Sequence, residues 1–293
     1  MKTFSDLAEV TSLGANDEFL VHLAGGGDRR VKFGAVNLNT SRNNVFRGKN
    51  LGTVNADNID SFIADHGIST GAFTDIYLGD YFVINYNGTN RNIRVAGFDY
   101  LWYTGDTNLS KHHILCVPDN ALCTAAMNST NTTGKSANEA NTSDKQAYLG
   151  SDMHNITIAD VDAKLTAIFG GHLLTHRELL TNSIDANQTS GGHTAWKGAS
   201  NNREWVDAKC VLMSEIEVYG SNVWSSSAYD TGLTRGQIPL FKVEPRFISQ
   251  AREWYWLRDV ASSTYFCFAG SCGDSGCTGA SYVGSVRPRF LLG

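Results

Sequence analysis

Over residues 1–36 the hydrophobic pattern is short-ranged: an apolar-dotted start TFSDLAEVTSL, a turn around residues 14–16, a strand-like EFLVHLA, a glycine turn GGGD and a second strand-like RRVKFGAV. Two such runs joined through glycine predict a β-hairpin. The pair carries too little apolar surface to fold alone, so it needs either the rest of the chain or identical copies around a symmetry axis. The following NLNTSRNNVFRGKN is polar, Asn-rich and without period, which predicts a linker. We therefore divide the chain into an N-terminal segment with linker, residues 1–44, and a larger domain, residues 45–293.

From Phe46 onward the pattern switches between period two and helical spacing without any repeat, which predicts one α+β domain. NADNIDSFIADHG suits a short helix ended by Gly67. TDIYLGDYFVINY and RNIRVAGFDYLWY read as strands joined by the turn NGTN, and HHILCVPD as a buried strand. Residues 128–144 are rich in Asn, Ser and Thr and predict a long surface loop. In ITIADVDAKLTAIFGGHLLTHRELLTN, apolar residues fall at helical spacing around Val161, Leu165, Ile168 and Phe169, and again at Leu173, Leu174, Leu179 and Leu180, which predicts two helices flanking Gly170-Gly171. KCVLMSEIEVYG reads as a buried strand, and GQIPLFKVEPRFI as an extended crossing segment with prolines at its turns.

Composition narrows the function classes. At 293 residues and 42% hydrophobic content the chain can bury a sizeable core. Its net charge of -5 gives no basic field for nucleic acid, so that partner is not expected. No apolar run is long enough to span a bilayer, and Asp6 and Glu9 sit where a secretory leader would be apolar, so neither membrane insertion nor secretory routing is expected. In that setting the six cysteines read as mostly reduced thiols, and the even CxxxxCxxxxC of Cys267, Cys272 and Cys277 fits neither a zinc knuckle nor a redox CxxC.

Residues 46–293 contain pieces that together resemble a phage and bacterial domain family related to the C-type lectin fold: FRGKNLG, GAFTDIYLGDYFVI, VAGFDYLWY, HHILCVPD, HLLTHRELLTN, VLMSEIEVYG, IPLFKVEPRF, EWYWLRD and the terminal GSVRPRFLL. The pairing of WLR with VRP carries most of the resemblance. It implies that the last strands complete a core sheet while the residues between the two motifs form a rim exposed to ligand. The SDL start, the DEFLV strand and the glycine turn resemble the opening of phage fibre and appendage proteins. That likeness implies attachment to other virion proteins, a homotrimeric stem and localisation to the virion. Relatives of this kind are sometimes diversified by retroelements that mutate adenines in asparagine-type codons, which cannot then encode Lys, Glu, Gln, Met or Trp. The 27 residues of 259–285 contain none of the five. A Gly/Ser-rich β-loop would also lack them.

Segments rich in Tyr, Ser, Gly and Asp suit recognition, because tyrosine gives amphipathic contact area at low entropy cost. Tyr255, Asp259, Ser262, Ser263, Tyr265, Asp274, Ser281 and Tyr282 are thus the candidate ligand-binding residues, with a glycan or protein of the host surface or of mucus as the ligand. Trp254 and Trp256 should share the strand face opposite Tyr255. Arg258, Arg287 and Arg289 should pair with carboxylates. His172 and His176, four apart, read as helix surface, since the glutamate of HExxH is missing; His112 and His113 should face opposite sides of a strand. No catalytic residue, cofactor or metal is expected. GDSG at residues 273–276 matches a serine-protease loop without the accompanying histidine and aspartate contexts. Two alternatives stay open. One is a purely structural capsid or head-fibre decoration protein. The other is a polysaccharide-active enzyme using paired carboxylates, or chemistry at Cys272 and Cys277 as in the related formylglycine-generating oxidases.

Overall fold

A computed structural model describes residues 18–22, 28–32, 42–131, 147–182, 203–225, 236–262 and 264–293. The chain divides into two units, Met1–Ser41 and Arg42–Gly293. In the first, β1 (Glu18–His22) pairs antiparallel with β2 (Asp28–Lys32), Glu18 opposite Lys32 and His22 opposite Asp28, forming the expected hairpin. TFSDLAEVTSL lies outside the described residues. Arg42 and Asn43, assigned above to the linker, belong to the second unit. The Arg42 guanidinium donates to the carbonyls of Phe73, Ile76 and Ala72, and the Asn43 amide exchanges two hydrogen bonds with the backbone of Phe98, at 2.8 and 3.0 Å. Side-chain hydrogen bonds to backbone hold this stretch, and they leave no hydrophobic period to read.

The second unit is mixed α/β, mostly sheet with few helices. In its six-stranded sheet, β4 (Tyr81–Tyr86) alternates, burying Phe82, Ile84 and Tyr86. The turn Asn87-Gly88, both residues at positive φ, returns it into β5 (Thr89–Phe98). On one side β3 (Asn50–Thr53) pairs with β4; on the other β5 meets β6 (Ile114–Pro118), a strand buried on both faces, as HHILCVPD predicts. One face is covered by α1 (Ile59–Asp65), whose helix stops before Gly67 as expected, and by α2 (Ala159–Phe169), which buries Val161, Leu165 and Phe169. Phe62, Phe82, Phe169 and Phe290 form a chain of ring contacts 5.1–6.2 Å apart through this layer.

Three expectations are corrected. HLLTHRELLTN is not a second helix: after a single 3-10 turn it forms β8 (His176–Thr181), paired from His176 opposite Ala208 to Thr181 opposite Arg203 with β9 (Arg203–Ala208). The two leucine pairs that mimic a helical period are overridden by pairing with a strand distant in sequence. KCVLMSEIEVYG is a strand only over β10 (Cys210–Leu212). Ser214 then caps α3 (Glu215–Tyr219) through a capping box with Glu217. GQIPLFKVEPRFI is not extended: Pro239 opens α4 (Pro239–Val243) from its first turn, where its fixed φ and missing N–H fit, and Pro245 opens a 3-10 turn.

The second sheet runs β13-β12-β11-β14-β7, with β7 (Cys123–Ala126), β11 (Tyr255–Val260), β12 (Tyr265–Ala269), β13 (Ser275–Gly279) and β14 (Val283–Val286). Among the described residues the chain crosses between the two sheets four times: from β6 into β7, from β7 by way of the β8–β9 pair into β10, from β10 into β11, and from β14 into β15 (Pro288–Leu292). The last strand lies between β10 and β6 and is fully buried, closing the first sheet.

Candidate functional site

The outward face of the second sheet carries an aromatic groove. Trp254, immediately before β11, and Trp256 within it have ring centroids 5.1 Å apart, and Trp254 meets Phe268 of β12 edge-on at 5.3 Å. Trp256 is fully buried and donates its indole N–H to Ala125 O at 3.1 Å, whereas Trp254 and Phe268 stay half-buried. Two glycines let these rings lie flat. A methyl group at position 284 would overlap the Trp254 indole, and one at 276 would overlap the Phe268 ring. This is cross-strand packing of aromatic side chains over glycine. The resulting groove has a volume of about 370 Å³ and is lined by Trp254, Phe268, Ser271, Asp274, Thr278 and Tyr282, with Tyr282 63% exposed. An aromatic floor with a carboxylate and two hydroxyls at its edge can hold a partly apolar ligand and orient its polar groups.

Of the eight expected ligand-binding residues, only Asp274 and Tyr282 line this groove. Ser281 is exposed beside it and Tyr265 is half-buried. Ser263 lies outside the described residues. Tyr255, Asp259 and Ser262 are interior, which corrects the expectation that the whole stretch between WLR and VRP faces ligand. Each has an internal use. The Tyr255 ring packs under the Arg287 guanidinium at 5.0 Å, and burial pushes its phenol above the ordinary tyrosine range. Asp259 accepts the Glu215 backbone N–H at 2.6 Å, and the Ser262 hydroxyl accepts the N–H groups of Thr264 and Tyr265 at 3.3 and 3.2 Å. Trp254 and Phe268 were not among the candidates. Their signal was a glycine on the neighbouring strand, Gly284 for Trp254 and Gly276 for Phe268, invisible without register.

Beneath the groove sheet, at its junction with the first, lies a buried charged node. Arg289 donates to Glu217 at 2.6 Å and to Glu178, while Arg258 donates to Glu217 at 2.7 Å and to Leu212 O at 2.9 Å. Glu178 also receives the His176 ring at 3.0 Å. Burial, the largest single influence, pushes the Glu178 carboxyl up, but Arg289, then the His176 ring and last Arg258 together hold it below its ordinary range. Arg258 and Arg289 thus pair with carboxylates, as expected. Among the described residues Arg287 pairs with no carboxylate: it donates to the carbonyls of Pro118, Ile248 and Phe247, at 2.7–3.0 Å. A further buried carboxylate, Glu215, accepts the N–H groups of Val223, Trp224 and Ser225 and two serine hydroxyls, pinning the loop after α3. These acids are occupied by structural partners, an arrangement unlike two carboxylates facing across a cleft.

The histidine expectations are also corrected. His176 is buried on β8, not on a helix surface, and His172 sits in the 3-10 turn, bonded to Asp60 at 2.7 Å. His112 and His113 precede β6, so strand alternation does not apply, and both rings lie within 4 Å of Asp99. Among the described residues no three His, Cys, Asp or Glu side chains are grouped to hold a metal ion, and no helix is long and apolar enough to cross a membrane. Comparisons with protein-family models, with curated proteins and with solved structures find no match to this chain.

Proposed function

We propose that this chain is a structural protein of a bacteriophage particle, a fibre, appendage or decoration, whose larger unit is a C-type-lectin-like scaffold displaying a ligand-binding surface for attachment to host cells or mucus. The observation that carries the reading is the open groove of Trp254, Phe268, Tyr282 and Asp274 on the edge half of the second sheet, mounted on a fully buried core. The separate hairpin unit of β1 and β2 is the segment that joins other virion proteins and a symmetric trimer. Weak binding at each groove is multiplied by the number of copies on one particle. No catalysis is part of this reading.

Proteomic analysis of particles purified from a culture expressing the gene tests the first half: the chain should be recovered in many copies per particle, and recovery only from the particle-free lysate contradicts it. A purely structural decoration is the second reading. It is favoured by the adjacent exposure of Tyr282 and Val283, 63% and 65%, an apolar pair that a neighbouring subunit would cover. In that case Tyr282 is protected from chemical labelling in assembled particles and reactive in the isolated chain.

A further inference from the structure

The even spacing of Cys267, Cys272 and Cys277 finds its explanation in the β12–β13 hairpin. Cys267 stands directly opposite Cys277, and Cys272 is the residue midway between them, exposed in the connecting turn. Two hydrogen bonds fix the ladder's phase: Gly270 N–H donates to Asp274 O at the turn, and Ala280 N–H donates to Thr264 O at the far end. In an antiparallel pair, hydrogen-bonded and non-hydrogen-bonded pairs alternate. With 270/274 and 264/280 both hydrogen-bonded, 266/278 and 268/276 are hydrogen-bonded too, and 267/277 is a non-hydrogen-bonded pair. Such pairs have Cα atoms about 4.5 Å apart with side chains on the same face at closest approach, inside the window of about 4.4–6.8 Å that a disulfide spans. None of the six cysteines is bridged in the structure.

We infer that Cys267 and Cys277 form a cross-strand disulfide when the folded protein meets a disulfide oxidant, locking the hairpin whose other face bears the Phe268 side of the groove. Cys277, the more exposed of the two, attacks the oxidant and releases one of its thiols. The Cys267 sulfur then displaces the second. Net, two S–H bonds are lost, one S–S bond forms, and the oxidant's disulfide is reduced to two thiols that carry away both protons. Burial, with Glu215 adding to it, raises the Cys277 thiol to about 11, so the reaction is slow at neutral pH and quickens as pH rises. Cys272 cannot substitute as partner. Two strand residues separate each of Cys267 and Cys277 from the turn, Phe268 and Ala269 on β12 and Gly276 and Ser275 on β13, so the turn begins at Gly270 three residue steps beyond Cys267, roughly 10 Å of strand rise.

The test uses the intact folded chain and its Cys272→Ser variant, incubated with oxidised glutathione at pH 8.5, then alkylated in denaturant and digested with chymotrypsin without reduction. Chymotrypsin is needed because no Lys or Arg lies between Asp259 and Arg287, so trypsin leaves all three cysteines on one peptide. The expected result, for wild type and variant alike, is loss of two alkylatable thiols, a mass lower by about 2 Da and a peptide linking Cys267 to Cys277. The inference is overturned if both sulfurs remain alkylatable, if they end as separate glutathione adducts, if the bridge runs through Cys272, or if it forms only in denaturant.

Discussion

The β11 strand and the β12–β13 hairpin lie side by side in one sheet and both carry tyrosine and a second kind of aromatic residue, yet they do opposite things. β11 is central, flanked by β12 and β14, and all six of its residues are buried, including Arg258 and Asp259. β13 is the edge strand, and only Gly279 of its five residues is buried. Trp254 and Trp256, two residues apart, mark the boundary between them: one ring is half-buried and the other fully so. Composition alone therefore does not make a recognition surface. Neighbours on both sides and both faces turn the same residue types into core, and an edge position turns them outward.

The sharpest way to break this contrast is on the interior side. Arg289→Ala leaves Glu217 and Glu178 buried with their shared cation removed, and should cost about 3–5 kcal/mol of stability in denaturant unfolding. A loss under about 1 kcal/mol would show that the node is solvated and the interior assignment mistaken. Next comes acid. Burial lowers the His113 ring to about 4 from an ordinary 6.5, outweighing Asp99 and the Lys111 carbonyl that favour its charged form. The unfolded chain takes up this proton near pH 6.5 and the folded one only near pH 4. Stability is therefore unaffected above 6.5 and falls as pH drops through that window, by up to about 3 kcal/mol. His113→Gln should flatten that part of the stability–pH curve; an unchanged slope would assign it elsewhere.

On the outward side the effects are smaller. Gly284→Val must push the Trp254 indole off its seat, costing about 1–3 kcal/mol and raising tryptophan exposure to a fluorescence quencher. Equal quenching in variant and wild type would mean that Trp254 does not rest on Gly284. Smallest of all, Tyr282→Ala should change stability by no more than about 0.5 kcal/mol, because the side chain is mostly in solvent. A larger loss would place it in the core.

How much of this was legible in the sequence follows the same division. Strands with local partners were readable: β4, β5 and their Asn87-Gly88 turn announce themselves by alternation and turn chemistry, as does α2 by its Val161, Leu165, Phe169 stripe. The misread β8 depends on a partner about 30 residues away, and nothing local distinguishes its leucines from a helix. α3 and α4 were in principle readable, from Ser214 with Glu217 and from Pro239, but short helices were overshadowed by the apolar runs they interrupt. At the site, Asp274 and Tyr282 could be named from composition. Trp254 and Phe268 required the register that sets them over Gly284 and Gly276, and the interior fate of Tyr255, Asp259 and Ser262 required knowing that β11 is central.

Binding by one pair of tyrosine variants tests the central claim most directly. A multivalent form of the protein is applied to a panel of bacterial surface polysaccharides, mucin and intact cells, alongside Tyr282→Ala and Tyr255→Phe. The account predicts that the wild type binds saturably, that Tyr282→Ala weakens each site by roughly tenfold, about 1.4 kcal/mol, and that Tyr255→Phe binds as wild type does. Binding lost in Tyr255→Phe but kept in Tyr282→Ala would contradict it.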